Sequence, residues 1–191
     1  MSESTSLASE FPKTILPELA KKLGYKNYFA CPRVTKVKVA ASFGKSARKG
    51  GSSNAMDEAV IKKISQNLAV ICGQKPRVHR ARIAVSNFKL KKGMVIGLSA
   101  TLRGTRALDF INRLNAITLP RVRDFRGISL KSFDGHGNYS LGIKDHTVFP
   151  EIQPDESNFT HGLEITITSS AKDDKEGQVL LELLGFPFKK Q

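Results

Sequence analysis

LPRVRDFRGISLKSFDGHGNYSLG, residues 119–142, combines cations, aromatic rings and glycines, three kinds of residue that rarely share so short a segment. Cations and aromatic rings on a glycine-rich turn suit contacts to phosphates and bases. The alternative is an ordered surface loop whose aromatic rings turn into the core. The residues concerned are Arg121, Arg123, Arg126 and Lys131, then Phe125, Phe133 and Tyr139, then Gly127, Gly135, Gly137 and Gly142.

Outward from this segment, hydrophobic periodicity and capping residues predict helices and strands in alternation. Short connections between strands and segregated helices favour an α+β fold. We expect two layers, with a mainly antiparallel sheet, helices on one face and the other face free. We also predict a disordered N-terminal tail at residues 1–10, and a single domain over residues 11–191. The predicted helices are residues 17–23, 54–72, 105–119 and 175–184, and the predicted strands are residues 34–39, 76–83, 94–103 and 163–169.

Two of the predicted strands have faces of different character. Residues 34–39 alternate so that Lys36 and Lys38 lie on the wet face. In residues 94–103, Ile96, Leu98 and Leu102 are expected to face the core. The opposite face of that strand is small and polar, as if another surface packs closely against it. Its members are Val95, Gly97, Ser99 and Thr101.

The chain has 191 residues and a formal net charge of +14. Residues 59–108 contain no Asp or Glu, so the charge is also segregated along the chain. A basic excess of this kind indicates nucleic acid, an anionic membrane or an acidic protein as partner. Cations flank Phe88 on a predicted hairpin, which could follow a phosphate backbone; a solvated loop is the alternative. The hairpin cations are Arg77, Arg80, Arg82, Lys89, Lys91 and Lys92.

Other function classes find little support. No apolar run is long enough to span a bilayer, and the N-terminus lacks the features of a secretory signal. Cys31 and Cys72 are expected to be reduced, buried thiols, and the four histidines have no metal-ligand spacing. We therefore expect no metal and no cofactor. The sequence around Gly44 resembles a phosphate-binding loop, but Val39 stands where that loop needs its first glycine.

The sequence leaves two function hypotheses from different classes, a structural RNA-binding protein and a nucleic-acid-processing enzyme. The enzyme has the weaker support. Ser129, Ser132 and His136 lie near Asp134, yet they form no known catalytic signature. A nuclease using Asp124, Asp134 and His136 would require these carboxylates to converge on a divalent ion. A free RNA chaperone with a basic surface is a third possibility.

Longer motifs, in fixed order from about residue 17 onward, resemble the L-five family of bacterial-type large-subunit ribosomal proteins. They are GYKN, PRV, KV, GQKP, VSNFKLKKGM, TLRG, PRVRDFRG, SFDGHGNYSLG, FPEI, LEITITSSAK and LLELLGFPF. The resemblance implies a structural constituent of the large subunit without enzymatic activity. It also implies localisation to a ribosome, in the bacterial cytoplasm or an organelle of bacterial descent, with no membrane partner.

The resemblance also implies a free sheet face that binds 5S rRNA in the central protuberance, beside large-subunit rRNA. Ala40 stands where relatives commonly have Asn, and Ser42 stands where they usually have Gly. This difference removes a side-chain amide, so we expect backbone or Ser42 to make the contact. The 5S rRNA-binding candidates are Lys36, Lys38, Ser42, Gln74, Ser99 and Thr101.

Two further contacts follow from the same resemblance. The basic hairpin matches the family loop that reaches the transfer RNA in the ribosomal P site. A second region faces a protein of the small-subunit head and helps to form an intersubunit bridge. In that region His136 replaces a frequent arginine. The bridge candidates are Phe133, His136, Asn138 and Lys144.

Overall fold

The computed structural model describes residues 7–42, 58–88, 90–123, 125–152 and 160–189. The chain divides into two compact units. The first unit comprises Met1–Val37, Leu102–Leu141 and Thr166–Gln191, and the second comprises Lys38–Thr101 and Gly142–Ile165. Within the described residues, no helix has the length and apolar character that crossing a membrane requires.

Five strands form one sheet, namely β1 (Val34–Ser42), β2 (Arg77–Arg80), β3 (Val95–Leu102), β4 (Tyr139–Ile143) and β5 (Leu163–Ser169). Their order across the sheet is β2-β3-β1-β5-β4. The sheet is antiparallel and the architecture is α+β, which confirms the predicted fold class. Four strands occur where alternation predicts them. The fifth, β4, was not predicted, because Gly142 interrupts the apolar pattern within a segment whose composition is typical of a loop.

The helices of the first unit begin with α1 (Leu7–Glu10), a π-helical turn (Phe11–Ile15) and α2 (Leu16–Leu23). Helix formation therefore precedes Pro17, which lies in the first turn of α2. Leu7–Glu10 are helical where a disordered tail was expected, and residues 1–6 lie outside the described residues. Gly24 ends α2 with φ +74° and donates its N–H to Ala20, as the sequence predicts.

The first unit continues with α4 (Thr105–Arg113), a π-helical turn (Leu114–Thr118) and α5 (Leu119–Arg121). The helix was expected to end at Pro120 but runs through Arg121. Pro120 lies in the first turn of α5, which directly follows the π-helical turn, and the chain leaves the helix at Val122, whose N–H donates to the Leu119 carbonyl. The unit closes with α6 (Asp174–Leu183), which Gly185 follows with φ +85°.

The second unit contains α3 (Glu58–Cys72). Ile64, Leu68 and Ile71 are buried at helical spacing, as predicted, and Gly73 follows with φ +62°. The expected N-cap at Asn54 and the expected loop beyond Ser42 lie outside the described residues. Both cysteines are buried, as expected, and neither takes part in a disulfide.

Strand alternation places the core on one side of the sheet. In β1, Val37 and Val39 are fully buried, and in β5 Leu163, Ile165 and Ile167 are at most 3% exposed. Ile96 was expected to be part of the core, but its side chain is 38% exposed. Ile96 lies at the register shift between β3 and the edge strand β2, where alternation gives the face of a residue but not its cover.

Candidate nucleic-acid interface

The side of β1 opposite the core carries polar and cationic side chains. In the second unit, Lys38 and Ser42 are exposed and Ala40 is half-buried between them. Lys36, at the first-unit end of the same strand, is half-buried on this side as well. Because alternate strand residues face opposite sides, these four positions form one row behind the buried Val37 and Val39.

The pairing of β2 with β3 extends the polar side with two more basic side chains. Arg77 lies opposite Ser99 and His79 lies opposite Gly97 in the antiparallel register. Directly opposed residues of an antiparallel pair share a face, so Arg77 and His79 lie on the side of Ser99 and Thr101. We call this surface of the second unit the polar sheet face. Its members are Lys38, Ala40, Ser42, Arg77, His79, Gly97, Ser99 and Thr101.

Ser99 and Thr101 differ in accessibility. The Ser99 side chain is buried, with 6% exposure, and its Oγ lies 2.6 Å from His79 Nε2 in a hydrogen bond. Thr101 is half-buried, and its hydroxyl can both donate and accept. His79 was not selected from the sequence, because only the β2–β3 register reveals its proximity to Ser99.

The neighbouring strand explains why position 97 is a glycine. A Cβ at this position would lie 2.9 Å from the Ala41 carbonyl oxygen, closer than real Cβ contacts allow. The neighbouring backbone of β1 therefore excludes a side chain at Gly97. The sequence pattern predicted a close neighbour here, and that neighbour includes another strand of the same sheet.

Gln74 lies between α3 and β2. The positive φ of Gly73 turns the chain out of the helix, and Gln74 and Lys75 are both exposed. Pro76 is buried and precedes β2. The predicted contact residue is therefore accessible on a short connection between two regular elements.

Beyond β2 and β3, the two arms of the basic hairpin remain paired by a few backbone hydrogen bonds. The Ala81 N–H donates to Met94 O at 2.7 Å, and Val85 and Leu90 exchange two backbone bonds of 3.0 Å. The Arg80 guanidinium donates to the Gly93 carbonyl at 3.1 Å, so this arginine also braces the hairpin. Lys89 lies outside the described residues. The remaining hairpin cations, all exposed, are Arg77, Arg80, Arg82, Lys91 and Lys92.

The proposed bridge loop, residues 133–138, is fixed by two carboxylates in the first unit. Asp134 Oδ1 accepts from the His136 and Asn138 N–H groups at 2.9 and 3.1 Å. Asp174, at the start of α6, accepts from the Gly135 and Gly137 N–H groups at 3.2 and 2.9 Å. The loop is thus ordered by hydrogen bonds that leave the His136 side chain exposed.

The other bridge candidates have different environments. Phe133 packs edge-on to Tyr139, with ring centroids 4.9 Å apart, and stacks with Phe188 at 6.1 Å. The Asn138 amide donates to Asp134 Oδ2 at 2.7 Å and accepts from the Ser169 N–H at 3.1 Å. Phe133 and Asn138 therefore hold the loop, while Lys144, in the second unit, is exposed.

The catalytic alternative gains nothing from this geometry. Hydrogen bonding by Asn138 and by the backbone keeps the pKa of Asp134 below its usual value and commits this carboxylate to the loop. Asp124 lies outside the described residues. In the described part of the chain, no cluster of three or more His, Cys, Asp or Glu could hold a metal ion.

A buried histidine pair in the second unit was missed by sequence reasoning. The rings of His146 and His161 stack with centroids 4.0 Å apart and an interplanar angle of 12°. The backbone N–H of His146 donates to the backbone carbonyl oxygen of His161 at 3.1 Å. Burial lowers the pKa of His146, and burial together with the neighbouring ring lowers the pKa of His161 to about 4. No spacing rule connects two histidines fifteen residues apart.

An α+β protein with one sheet face buried and basic, hydroxyl-bearing side chains on the other has the surface chemistry of an RNA-binding protein. A family model that describes the C-terminus of the ribosomal L5 family matches residues 95–188. The chain is 44% identical over 185 residues to the large ribosomal subunit protein uL5 of Thermus aquaticus, covering 97% of both chains.

Two further relatives agree. The large ribosomal subunit protein uL5 of Thermotoga sp. (strain RQ2) is 45% identical over 188 residues, with 98% of each chain covered. The protein of the same name from Halothermothrix orenii is 46% identical over 182 residues, 95% of this chain and 97% of that one. The chain therefore belongs to the uL5 family of large ribosomal subunit proteins. This finding confirms the resemblance, and with it a structural ribosomal role rather than an enzymatic one.

Proposed function

We propose that this large-subunit ribosomal protein binds 5S rRNA through the polar sheet face. The observation that carries the proposal is the asymmetry of the sheet. Val37, Val39 and Leu98 are at most 1% exposed on the core side. Cations and hydroxyls lie on the other side, led by the exposed Lys38 and the half-buried Thr101. Lysine and arginine neutralise phosphates, and a threonine hydroxyl can bond a ribose 2′-hydroxyl.

The β1 end of this face supports a specific arrangement. Ala40 presents no side-chain hydrogen-bonding group, whereas Ser42, two residues later on the same side, is exposed. We assign to Ser42, and to the backbone beside it, the contact that the family resemblance implies for an Asn at position 40. Gln74 is exposed on its connection and supplies an amide that can read a base edge.

The basic hairpin is proposed to contact the P-site transfer RNA. Its cations are exposed, and its paired backbone gives them a fixed support. The absence of acidic residues throughout residues 59–108 favours a polyanionic partner, because unneutralised like charges repel. The bridge loop, with its exposed His136 side chain, is proposed to face a protein of the small-subunit head, and Lys144, exposed in the second unit, is kept as a separate candidate for this contact.

Selection from a mixture tests the first of these assignments. The purified chain is incubated with total RNA at physiological salt, and the bound RNA is identified by sequencing. We expect strong enrichment of 5S rRNA over an equal mass of transfer RNA or rRNA fragments. Capture of all RNAs in proportion to their length would instead indicate a non-specific basic protein and would contradict the proposal.

A further inference from the structure

Phe29 is 85% exposed and its neighbour Tyr28 is 53% exposed, in the first unit. Among the described residues, Phe29 has the most exposed large apolar side chain. Isolated exposed aromatic residues occur on protein surfaces, but two consecutive ones present an unusual flat, apolar area. They are not part of the polar sheet face or of the basic hairpin.

The backbone under these rings is fixed. Tyr28–Ala30 form a 3₁₀ turn that Asn27 caps, its Oδ1 accepting from the Phe29 N–H at 2.9 Å. The Ala30 N–H also donates to Asn27 O at 3.1 Å. Because the backbone is already ordered, binding of a partner to the rings does not carry the entropy cost of forming the turn.

Both ends of the segment are anchored within the first unit. Before the turn, the Tyr25 hydroxyl donates to Glu176 Oε1 of α6 at 2.6 Å. After it, Arg33 and Ser170 exchange two hydrogen bonds of 3.0 Å, one through the Ser170 hydroxyl. The hydrogen bond from Tyr25 lowers the pKa of Glu176, which keeps the carboxylate ionised as an acceptor.

Cations accompany the rings. The Arg33 guanidinium reaches back to the Phe29 carbonyl, with Nη2 at 3.5 Å, and Lys26 is exposed just before the turn. A flat ring whose backbone carbonyl meets a guanidinium, with an exposed lysine three residues earlier in the chain, suits a nucleotide, because the base can stack while the phosphate meets the positive charge. An apolar protein partner would have no use for the two cations.

We propose that Tyr28 and Phe29 form a stacking site for unpaired bases of RNA, separate from the polar sheet face. Phe29 is the principal platform, and Arg33 and Lys26 neutralise the adjoining phosphates. The partner is an unpaired RNA segment rather than a duplex, since paired bases do not expose their faces.

The chain lacks tryptophan, so Phe29→Trp introduces a single fluorescent reporter at the site. We expect a short oligouridylate to quench its fluorescence saturably. Neither an abasic oligomer of equal length and charge nor duplex RNA should do so. Ile117→Trp, at a 43% exposed position of the same unit, is the matched control and should respond to none of them. Equal quenching by the abasic oligomer, or an equal response of the control, would overturn the proposal.

Affinity separates stacking from general apolar contact. Phe29→Ala should weaken oligouridylate binding about 5- to 150-fold, the effect of removing one base-stacking ring. Phe29→Leu keeps apolar volume without a flat ring and should lose most of the same affinity. Because the side chain is exposed, melting temperatures should remain those of the wild type. Equal oligouridylate affinity of the Phe29→Leu variant and the wild type would overturn the stacking site.

Discussion

At the scale of single residues, Thr101 is the clearest test of the polar sheet face. It is half-buried on β3, two residues after Ser99, whose hydroxyl is already bonded to His79. Ser99 is thus a weaker candidate for direct contact than Thr101. An RNA-bound threonine hydroxyl replaced by a methyl leaves the RNA group without its partner, which costs roughly 1–3 kcal/mol.

Thr101→Val should therefore weaken 5S rRNA binding about 5- to 150-fold at fixed salt. Folding should change little, since Val has similar shape and high strand propensity. Thr35→Val is the matched control, because Thr35 is an exposed strand threonine on the core side of β1. Filter binding with thermal melts measures both variants. Equal affinities for the two variants would move the RNA site away from β3.

The His146–His161 pair couples stability to pH. In the folded chain the pKa of His161 is lowered from 6.5 to about 4, mainly by burial, and that of His146 is lowered for the same reason. Asp145 Oδ1, 3.7 Å from His146 Nδ1, opposes this only in part. The unfolded chain binds more protons between pH 6.5 and about 4, so stability falls as pH is lowered through this range.

The expected slope from His161 is on the order of 1 kcal/mol per pH unit in that range. His161→Phe removes the titrating ring and should flatten the dependence of the free energy of unfolding on pH. His136→Phe, which replaces an exposed histidine, is the control variant. Urea unfolding between about pH 4 and 7 makes the comparison. Parallel curves for wild type and His161→Phe would show that the pair carries no such coupling.

At the scale of elements, the hairpin combines a braced backbone with free cations. Arg80 contributes to the brace through Gly93, whereas Arg82, Lys91 and Lys92 are exposed. The latter three can therefore be removed with little effect on the fold. Their removal isolates the proposed contact with transfer RNA from that with 5S rRNA.

Replacing Arg82, Lys91 and Lys92 together by Ala should leave 5S rRNA affinity within about threefold of wild type, since the polar sheet face is intact. Ribosomes assembled with the variant should bind P-site transfer RNA more weakly. The control variant replaces three exposed lysines of the N-terminal helical segment, Lys13, Lys21 and Lys22, by Ala. Loss of 5S rRNA binding in the hairpin variant alone would show that the hairpin has the other partner.

The bridge loop depends on α6. Gly177 of this helix leaves room for the loop, since a Cβ there would lie 2.8 Å from the Gly137 carbonyl oxygen. Asp174 then holds the loop through two N–H groups. Glycine in a helix and a carboxylate at its first turn are each common, so the sequence alone did not connect them to residues 133–138.

Asp174→Ala should lower the free energy of unfolding by about 1–3 kcal/mol, because two N–H groups lose a charged acceptor. Asp173→Ala is the matched control, since Asp173 is exposed at the N-cap without a side-chain capping bond. Chemical denaturation followed by circular dichroism measures both. A similar loss in the two variants would point to the helix dipole rather than the loop.

The parts of the fold that depend on local periodicity were predictable. The apolar stripe of α3 and the alternation of β5 gave both elements to within a few residues. What could not be predicted was set by distant partners: β4, the exposure of Ile96, and the His79–Ser99 bond depend on strand register. The site residues came from the family resemblance, since a lone Gln or Thr has no distinguishing pattern.

At the scale of the whole molecule, charge and fold have separate tasks. The net charge of +14 attracts RNA of any sequence, with a salt dependence of roughly −0.7 to −0.9 per phosphate contact in log–log terms. Choice among RNAs requires groups with fixed positions. We propose that the polar sheet face of the second unit supplies such positions.

Lysine acetylation in the free protein and in its complex with 5S rRNA, followed by mass spectrometry, tests the proposed face most directly. Lys38, on the polar sheet face, is exposed in the free protein, as are the hairpin residues Lys91 and Lys92 and the N-terminal Lys21. We expect 5S rRNA to protect Lys38 strongly and to leave Lys21, Lys91 and Lys92 reactive. Full reactivity of Lys38 in the saturated complex would contradict 5S rRNA binding through this face.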